Sequence, residues 1–563
     1  MGGWRWRATR SMMAAMRSIA ISATVGTFGA GADGLLAGRL VANTELVRAL
    51  LHHGQFEELV FLVGEGRDVE PLQTLLGRLS AGAPQRRLAI VNMLELPALL
   101  QRGALSVVHL TSPASYADAV WLRDRYARGQ MPPVTAQIHS LSYPSLMLEW
   151  MKLALMRPSS RDALFCSSHA GRAVVQACMA RVDALLEARG AVPDTTPFEL
   201  PVVPLGIDVQ QLAGGQRERL RDELGIPADA VLVLGMGRFT EFDKMDLFPV
   251  VQAVAAVSSR TAPTAPPVYL LLAGARQGTK TPEMVQIWAN ALGFGERVRL
   301  LVDFPAERKA DVLAAADLFV SLADNPQETF GLSVVEAMAA GLPVIASDYD
   351  GYKDTAPDGV ALRIPTRACV DLAELSDLAP LLYARPLHLA LGQSLEVDLP
   401  ALEAALTRLV QDPALRASMG RAAAQRARNH YAWPTVIARY EAEWQRLATQ
   451  TVEARAVPER HPLCLDYDSA FAAFPTERRD PQARVCASPL ADRVLARGSY
   501  PIYPELKPLF SDAEYRFVLA LAKQPIPLAA IEAELAQALP ERAAWKLQLV
   551  LAWMLKHGLL VRA

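Results

Sequence analysis

The chain is poor in several features that would have pointed elsewhere. Its five cysteines (Cys166, Cys178, Cys369, Cys464, Cys486) are scattered, odd in number and never spaced as C-x-x-C. That excludes a disulfide framework and a cysteine-based metal site, and it fits a reducing compartment, so a cytoplasmic location is expected. Excess charge of one sign is also missing. Lys and Arg number 57 and Asp and Glu 59, a formal net charge of −2, which argues against a nucleic-acid partner held by bulk charge. No apolar run reaches the ~18 residues that would predict a membrane-spanning helix. What is present is a large, 51% hydrophobic chain of 563 residues. At roughly 100–200 residues per domain, three or four domains are expected.

Short apolar runs alternate with helical patterns along most of the chain. In the first half the runs are Ile19–Ala23, Leu59–Val63, Leu88–Val91, Ser106–Leu110, Val134–Ile138, Ala163–Cys166 and Pro201–Pro204. Helical patterns such as Leu35–Leu51 and Ala170–Ala188 separate them. In the second half the runs are Val231–Leu234, Val268–Leu272, Arg297–Val302, Leu318–Leu322 and Val344–Ala346. Such alternation implies parallel sheets with helical crossovers. The sequence therefore predicts an α/β chain with two Rossmann-like domains in succession, the second starting near residue 213. A cleft between two domains is a natural ligand site.

The most informative run is Ser321-Leu-Ala-Asp-Asn-Pro-Gln-Glu328-Thr-Phe-Gly-Leu-Ser-Val-Val-Glu336-Ala-Met-Ala-Ala-Gly341-Leu-Pro-Val-Ile-Ala-Ser347. It reads as a buried strand, a loop, a helix over Gly331–Ala340 closed by Gly341 and Pro343, and a second strand. Glu328 then precedes the helix and Glu336 lies about a turn and a half inside it. In open α/β sheets ligands bind where strands end and helices begin, and a helix N-terminus suits a phosphate. Carboxylates repel phosphate but accept hydrogen bonds from sugar hydroxyls. A phosphate at the helix end, flanked by two carboxylates, is the chemistry of a nucleotide sugar.

The Glu-x7-Glu spacing, followed by Ala-Met-Ala-Ala-Gly-Leu-Pro-Val-Ile-Ala-Ser-Asp, resembles the donor-site signature of glycosyltransferase family 4, whose members are retaining enzymes of the GT-B fold. The stretch Ser347-Asp-Tyr-Asp-Gly351-Tyr-Lys-Asp354 belongs to the same local pattern. Gly235-Met-Gly-Arg238-Phe-Thr-Glu-Phe-Asp-Lys244 resembles the family's Gly-Arg…Lys element after the first strand of the second domain, and Val202-Val-Pro-Leu-Gly-Ile-Asp208 resembles the segment closing the first domain. The resemblance spans roughly residues 17–450 and is strongest over about 230–365. It implies roles for specific residues. Glu328 would hold donor-sugar hydroxyls, and Glu336 the ribose hydroxyls. Phe330, Gly331 and Leu332 would line the donor at the helix start. Arg238, by a bidentate fork, and Lys244, as a point charge, would neutralise the diphosphate. His139, ending the run Val134–Ile138, would face the sugar, and the glycines Gly29 and Gly31 would approach the donor or acceptor. His109 ends another strand and is the weaker candidate; His169 carries no assigned role. The resemblance also implies no metal, no cofactor beyond the nucleotide-diphosphate sugar itself, and no enzymic nucleophile. The acceptor is left open among a glycan, a lipid-linked sugar, a small molecule and a protein. Two other readings keep the same fold: a nucleotide-sugar-binding scaffold or sensor without turnover, and a different GT-B enzyme such as an epimerase.

The ends are less like the family. Residues 1–16, with Trp4, Trp6 and three of the four arginines before residue 18, read as a tail and leave peripheral contact with the inner face of a membrane open. Residues 17–212 are expected to form the acceptor domain, and 213–450 the donor domain with closing helices from Leu402 to Leu447 and an insertion at 370–395. Residues 451–500 read as a linker with little regular structure, and 501–563 as a winged-helix-like module opened by the capping box Ser511-Asp-Ala-Glu514. Its third helix, with Trp545, Leu547, Val550, Leu551 and Trp553, is apolar rather than basic. That suits a small core or a protein–protein or dimer contact, and no nucleic acid is expected.

Overall fold

The computed structural model describes residues 16–23, 28, 38–129, 131–156, 158–191, 198–262, 264–452, 457–496, 498 and 500–563. Gly29, Gly31 and the tail up to residue 15 lie outside the described residues.

Two six-stranded parallel sheets form the body. The first consists of β1 (Met16–Ser22), β2 (Phe56–Val63), β3 (Arg87–Asn92), β4 (Val107–Leu110), β5 (Val134–Gln137) and β6 (Ala163–Phe165), in the order β3-β2-β1-β4-β5-β6. The second consists of β7 (Val231–Met236), β8 (Val268–Gly274), β9 (Val298–Val302), β10 (Leu318–Ser321), β11 (Val344–Ser347) and β12 (Ala361–Ile364), in the order β12-β11-β10-β7-β8-β9. The two orders are the same topology. Each sets its first strand beside its fourth, so successive crossovers leave in opposite directions and open a crevice at the strands' carboxyl ends. The central strands of the second sheet are mainly apolar because helices cover both faces; every residue of β7, β10 and β11 is buried. Two Rossmann-like units of the GT-B type are therefore present, as the alternation of apolar runs predicts.

The last helix of the second unit, Trp433–Ala448, crosses back to the first. Trp433, Val436, Ile437, Tyr440 and Trp444 share one core with Ile19, Ile21, Leu50 and Phe61. Trp444 Nε1 donates to Thr135 Oγ1 at 3.0 Å, and the Tyr440 hydroxyl donates to Gln137 Oε1 at 2.5 Å. The two passages of chain between the units run side by side: Ile207 N–H donates to Tyr431 O at 2.8 Å, and Trp433 N–H to Ile207 O at 3.3 Å. Gly206 allows this approach, since a Cβ there would sit 2.2 Å from the Trp433 ring.

Two expectations are corrected, those for Pro201–Pro204 and for 451–500, and the insertion expected at 370–395 acquires a definite structure. Pro201–Pro204 is not a strand. It makes one isolated bridge, Cys166 to Val202, because two of its four residues are prolines without an N–H to donate. The insertion at 370–395 is an ordered excursion: β13 (Thr366–Ala368) pairs with β14 (Leu395–Val397), and the helices Ala373–Leu378 and Ala384–Gln393 lie between them. The segment 451–500 is not devoid of regular structure. β15 (Arg484–Ala487) is the central strand of an antiparallel sheet between β16 (Ile526–Pro527) and β17 (Leu560–Arg562), and the helix Pro489–Ala496 follows it. A four-residue strand among arginines and prolines is too short for composition to reveal. The helices Asp512–Leu521, Leu528–Ala538 and Ala544–Lys556 close this module around Val485, Phe510, Tyr515, Ile531, Val550 and Trp553. The capping box of Ser511 and Glu514 is present at the first of them.

Candidate functional site

The site lies where the second sheet reverses direction, between β7 and β10. The loop after β7 carries Arg238 and Lys244, and the loop after β10 carries Glu328. Adjacent strands bring the two loops together: Lys244 Nζ lies 2.7 Å from Glu328 Oε2. The other oxygen of Glu328, Oε1, accepts from the amides of Gly331 at 2.8 Å and Phe330 at 3.3 Å. Burial opposes the charge of Glu328, but Lys244 and these amides outweigh it and hold its carboxyl below the usual range. Burial likewise opposes the charge of Lys244, and Glu328 more than restores it, keeping the ammonium above the usual lysine range. The pair is thus ionised and fully hydrogen-bonded on the carboxylate side.

Glycines make the room. Lys244 lies against Gly237, where a Cβ would be 2.9 Å from Lys244 Cε, and a Cβ on Gly274 would be 1.6 Å from Gly237 O. Gly331 has φ 92° and caps the helix Leu332–Ala339; a Cβ there would meet the Tyr352 ring at 2.3 Å. The Tyr352 hydroxyl is 2.7 Å from Ser321 Oγ. Gly351 packs against Thr329, a Cβ being 2.2 Å from its carbonyl oxygen. The loop 328–331 and the turn 348–352 therefore interlock.

The sequence-derived candidates separate into groups. Glu328, Lys244, Gly331 and Phe330 come together as described, although the Phe330 ring is buried edge-on to Tyr431 and only its backbone reaches the site. Because Glu328 takes the amides of Phe330 and Gly331, the amides left for an anion at this helix end are those of Leu332 and Ser333, for which no acceptor is found among the described residues. The hydroxyl of Ser333 is buried without a partner. Arg238 lies near Lys244 and is already held: its Nη1 donates to Asp243 Oδ2 at 2.7 Å and its Nη2 to Asp243 O at 3.1 Å. Glu336 pairs with Lys309 Nζ at 2.7 Å and has no bond to the Glu328 group.

His139 belongs to the first sheet's crevice. Its Nε2 donates to Thr111 O at 3.1 Å and lies 3.1 Å from Asn43 Oδ1. Burial and the nearby Arg39 push its pKa down to about 4, so the ring is neutral near pH 7. His109 is structural: it is fully buried, its Nδ1 is 2.9 Å from Thr135 Oγ1, and its ring packs on Phe165, Tyr440 and Trp444. His169, given no role, joins the two units; its amide and Nδ1 meet the Asp354 carboxylate at 2.5 and 3.1 Å. Ser167 Oγ also reaches Thr329 O, at 3.2 Å.

Several neighbours escaped the sequence reading. Asp350 has φ 44°, bonds the Tyr352 amide through Oδ1 at 2.9 Å, and leaves a buried Oδ2 without a partner. Burial and the adjacent Glu328 hold its carboxyl well above the usual range. The pairing of Asp350 with Gly351 in a turn was the only available signal. Asp324, whose Oδ2 accepts from the Asp246 amide at 3.0 Å, is pushed up to about 7 by burial. The inserted helix Ala384–Gln393 covers this loop: His388 Nδ1 accepts from Gln327 Nε2 at 2.9 Å, and its Nε2 reaches Ser142 O of the first unit at 3.4 Å. No pattern in the sequence places that helix.

Residues 216–379 match the family model described as glycosyl transferases group 1. Among curated relatives, a D-inositol 3-phosphate glycosyltransferase of Geodermatophilus obscurus is 32% identical over 179 residues, covering 31% of this chain and 38% of that protein. The D-inositol 3-phosphate glycosyltransferase 1 of Catenulispora acidiphila is 29% identical over 299 residues, covering 50% and 66%. The chain thus spans between about a third and two thirds of these relatives' lengths. Among solved structures, a Rickettsia africae glycosyltransferase superimposes with TM-score 0.52 at 12% identity, covering 77% of this chain and 100% of that one. The Anabaena protein HepE in complex with UDP gives 0.50 at 14%, covering 76% and 99%. These two likenesses show the fold.

Proposed function

We propose that the protein is a retaining glycosyltransferase of the family 4 type that moves a sugar from a nucleotide-diphosphate sugar to an acceptor. The observation that carries this reading is the Lys244–Glu328 ion pair at the sheet's switch point, set at the start of the helix Leu332–Ala339, within the segment that matches the glycosyl transferases group 1 model. Lys244, Arg238 and the free amides of Leu332 and Ser333 are placed to neutralise a leaving diphosphate, which is where charge grows as the glycosidic bond breaks. Glu328 accepts from donor-sugar hydroxyls; Glu336, beside Lys309, accepts from the ribose. Donor binding draws Arg238 from Asp243 toward the phosphates. His139, neutral and oriented by Thr111, presents a polar edge to the sugar from the first unit. The family reading calls for no metal and no further cofactor, and the scattered cysteines fit a cytoplasmic protein. UDP in the HepE complex makes UDP-sugars the first donors to try. We read the module around β15 as winged-helix-like, with a strand ahead of its first helix taking the central place in the sheet; its apolar third helix favours protein contact.

The test is nucleotide release from a panel of UDP-, GDP- and ADP-sugars by the purified protein, with binding followed in parallel. One donor is expected to be hydrolysed slowly, and Glu328→Gln to lower that rate at least ~100-fold while the fold persists. Failure of every donor to bind would overturn the reading; binding without release, even with acceptors supplied, would replace it with a sensor.

A further inference from the structure

Asp350 is the one strained carboxyl at the site. A non-glycine residue at φ 44° is uncommon, and such residues persist where the surroundings hold them for a purpose. Its neighbours do hold it: Oδ1 is fixed by the Tyr352 amide, and the next residue, Gly351, is wedged against Thr329 and Phe330. That wedge sets the Asp350 carboxyl beside Glu328. One oxygen then remains, Oδ2, which is buried and bonded to nothing. Buried polar atoms are nearly always satisfied in a folded protein, so an orphan in a crevice marks the place of a missing partner.

The chemistry of that partner follows from what surrounds it. The Glu328 carboxylate beside Asp350 disfavours a phosphate at this spot. The cations Lys244 and Arg238 lie on the loop after β7 and serve the phosphates from that side. A neutral partner able to donate and accept is required, and a sugar hydroxyl is one. Glu328, with its carboxyl held below the usual range, accepts; Asp350, whose proton burial and the adjacent Glu328 help to retain, can donate as well as accept.

We propose that Asp350 is a specificity-determining residue that reads a hydroxyl of the donor's sugar through its free Oδ2, in tandem with Glu328. This rests on the donor-site reading given above. It predicts that Asp350 acts on the sugar moiety and leaves the nucleotide diphosphate untouched.

The experiment compares wild type, Asp350→Gly and Asp350→Asn by calorimetric binding of bare nucleoside diphosphates and of the matching nucleotide sugars. Glycine accepts the left-handed backbone freely, so this variant folds while losing the carboxyl. Asparagine keeps a donor and an acceptor in the same place. Asp350→Gly is expected to bind the bare diphosphate within about 2-fold of wild type and the nucleotide sugar at least ~10-fold more weakly, as for one lost hydrogen bond to a buried group. Asp350→Asn is expected to recover most of that loss. Equal weakening toward diphosphate and nucleotide sugar would show a structural role and overturn the inference. So would sugar binding by Asp350→Gly that matches wild type. A wild-type protein that binds the diphosphate but gains or loses nothing from the attached sugar would also overturn it, leaving the nucleotide site intact; binding of neither ligand would remove the donor-site reading itself.

Discussion

Single side chains decide how much of the site is charge and how much is shape. Glu328 is held below the usual carboxyl range although buried because three donors converge on it, whereas Asp350, with one amide, is held well above that range by burial and by Glu328. The contrast is one of donors counted, not of residue type. A second buried carboxylate shows the same arithmetic in a purely structural setting. Asp162 takes a bidentate fork from Arg123 at 2.7 and 2.8 Å and further bonds from Ser159 and Val134, and both charged side chains are wholly buried. Asp162→Asn leaves the buried guanidinium with one of its two carboxylates, Asp124, and is expected to destabilise the protein by about 1–3 kcal/mol, as measured by denaturant unfolding. Glu328→Gln leaves the backbone donors satisfied but takes the counter-charge from the buried Lys244, so turnover and stability are both expected to fall, and the same unfolding measurement separates the two effects.

At the level of elements, the helix Leu332–Ala339 is only eight residues long and depends on its cap. Gly331→Ala places a methyl group into the Tyr352 ring at a backbone angle that alanine avoids. A loss of about 1–3 kcal/mol is expected, together with loss of donor binding, and thermal melts with nucleotide titration check both. This helix was legible beforehand because glycine, an apolar periodicity and Gly341-Leu-Pro343 mark its two ends. Glu328 and Lys244 were legible as a resemblance, but their contact was not: they lie 84 residues apart and meet because β7 and β10 are neighbours. Arg238 was read as a free phosphate ligand; Asp243, five residues on, holds it. The inserted helix Ala384–Gln393 and the strand β15 were lost for a different reason: each is short, and what fixes it is a partner far along the chain, Gln327 for one and Leu560–Arg562 for the other.

For the whole molecule, the crossing helix Trp433–Ala448 turns two units into one. Trp444 is fully buried in the first unit's core, and Trp444→Ala is expected to cost about 3–5 kcal/mol and to loosen both halves together. The same contact contains a pH dependence. His109, under Tyr440 and Trp444, has its pKa pushed down to about 3 by burial, and His139 to about 4. Both stay neutral in the folded protein while the unfolded chain takes up protons below about pH 6.5. The share of stability owed to these two rings is therefore level above that pH and falls as the pH drops toward 4, by up to about 1.4 kcal/mol per unit for each ring, while Asp324, raised to about 7, works in the opposite sense. His109→Phe keeps the aromatic packing and is expected to flatten this acid limb in urea melts between pH 4 and 7.

The crossing helix also governs the order in which the chain matures on the ribosome. The first unit is synthesised first, yet its core stays open until Trp433, Tyr440 and Trp444 emerge, roughly 270 residues after its own sheet ends at Phe165. At about 5–20 residues per second, that is a wait on the order of 10–50 s. The second unit gains its own last core residues, Ala423, Ala427 and Tyr431, just before the crossing helix, so both halves are completed within the same short stretch of synthesis.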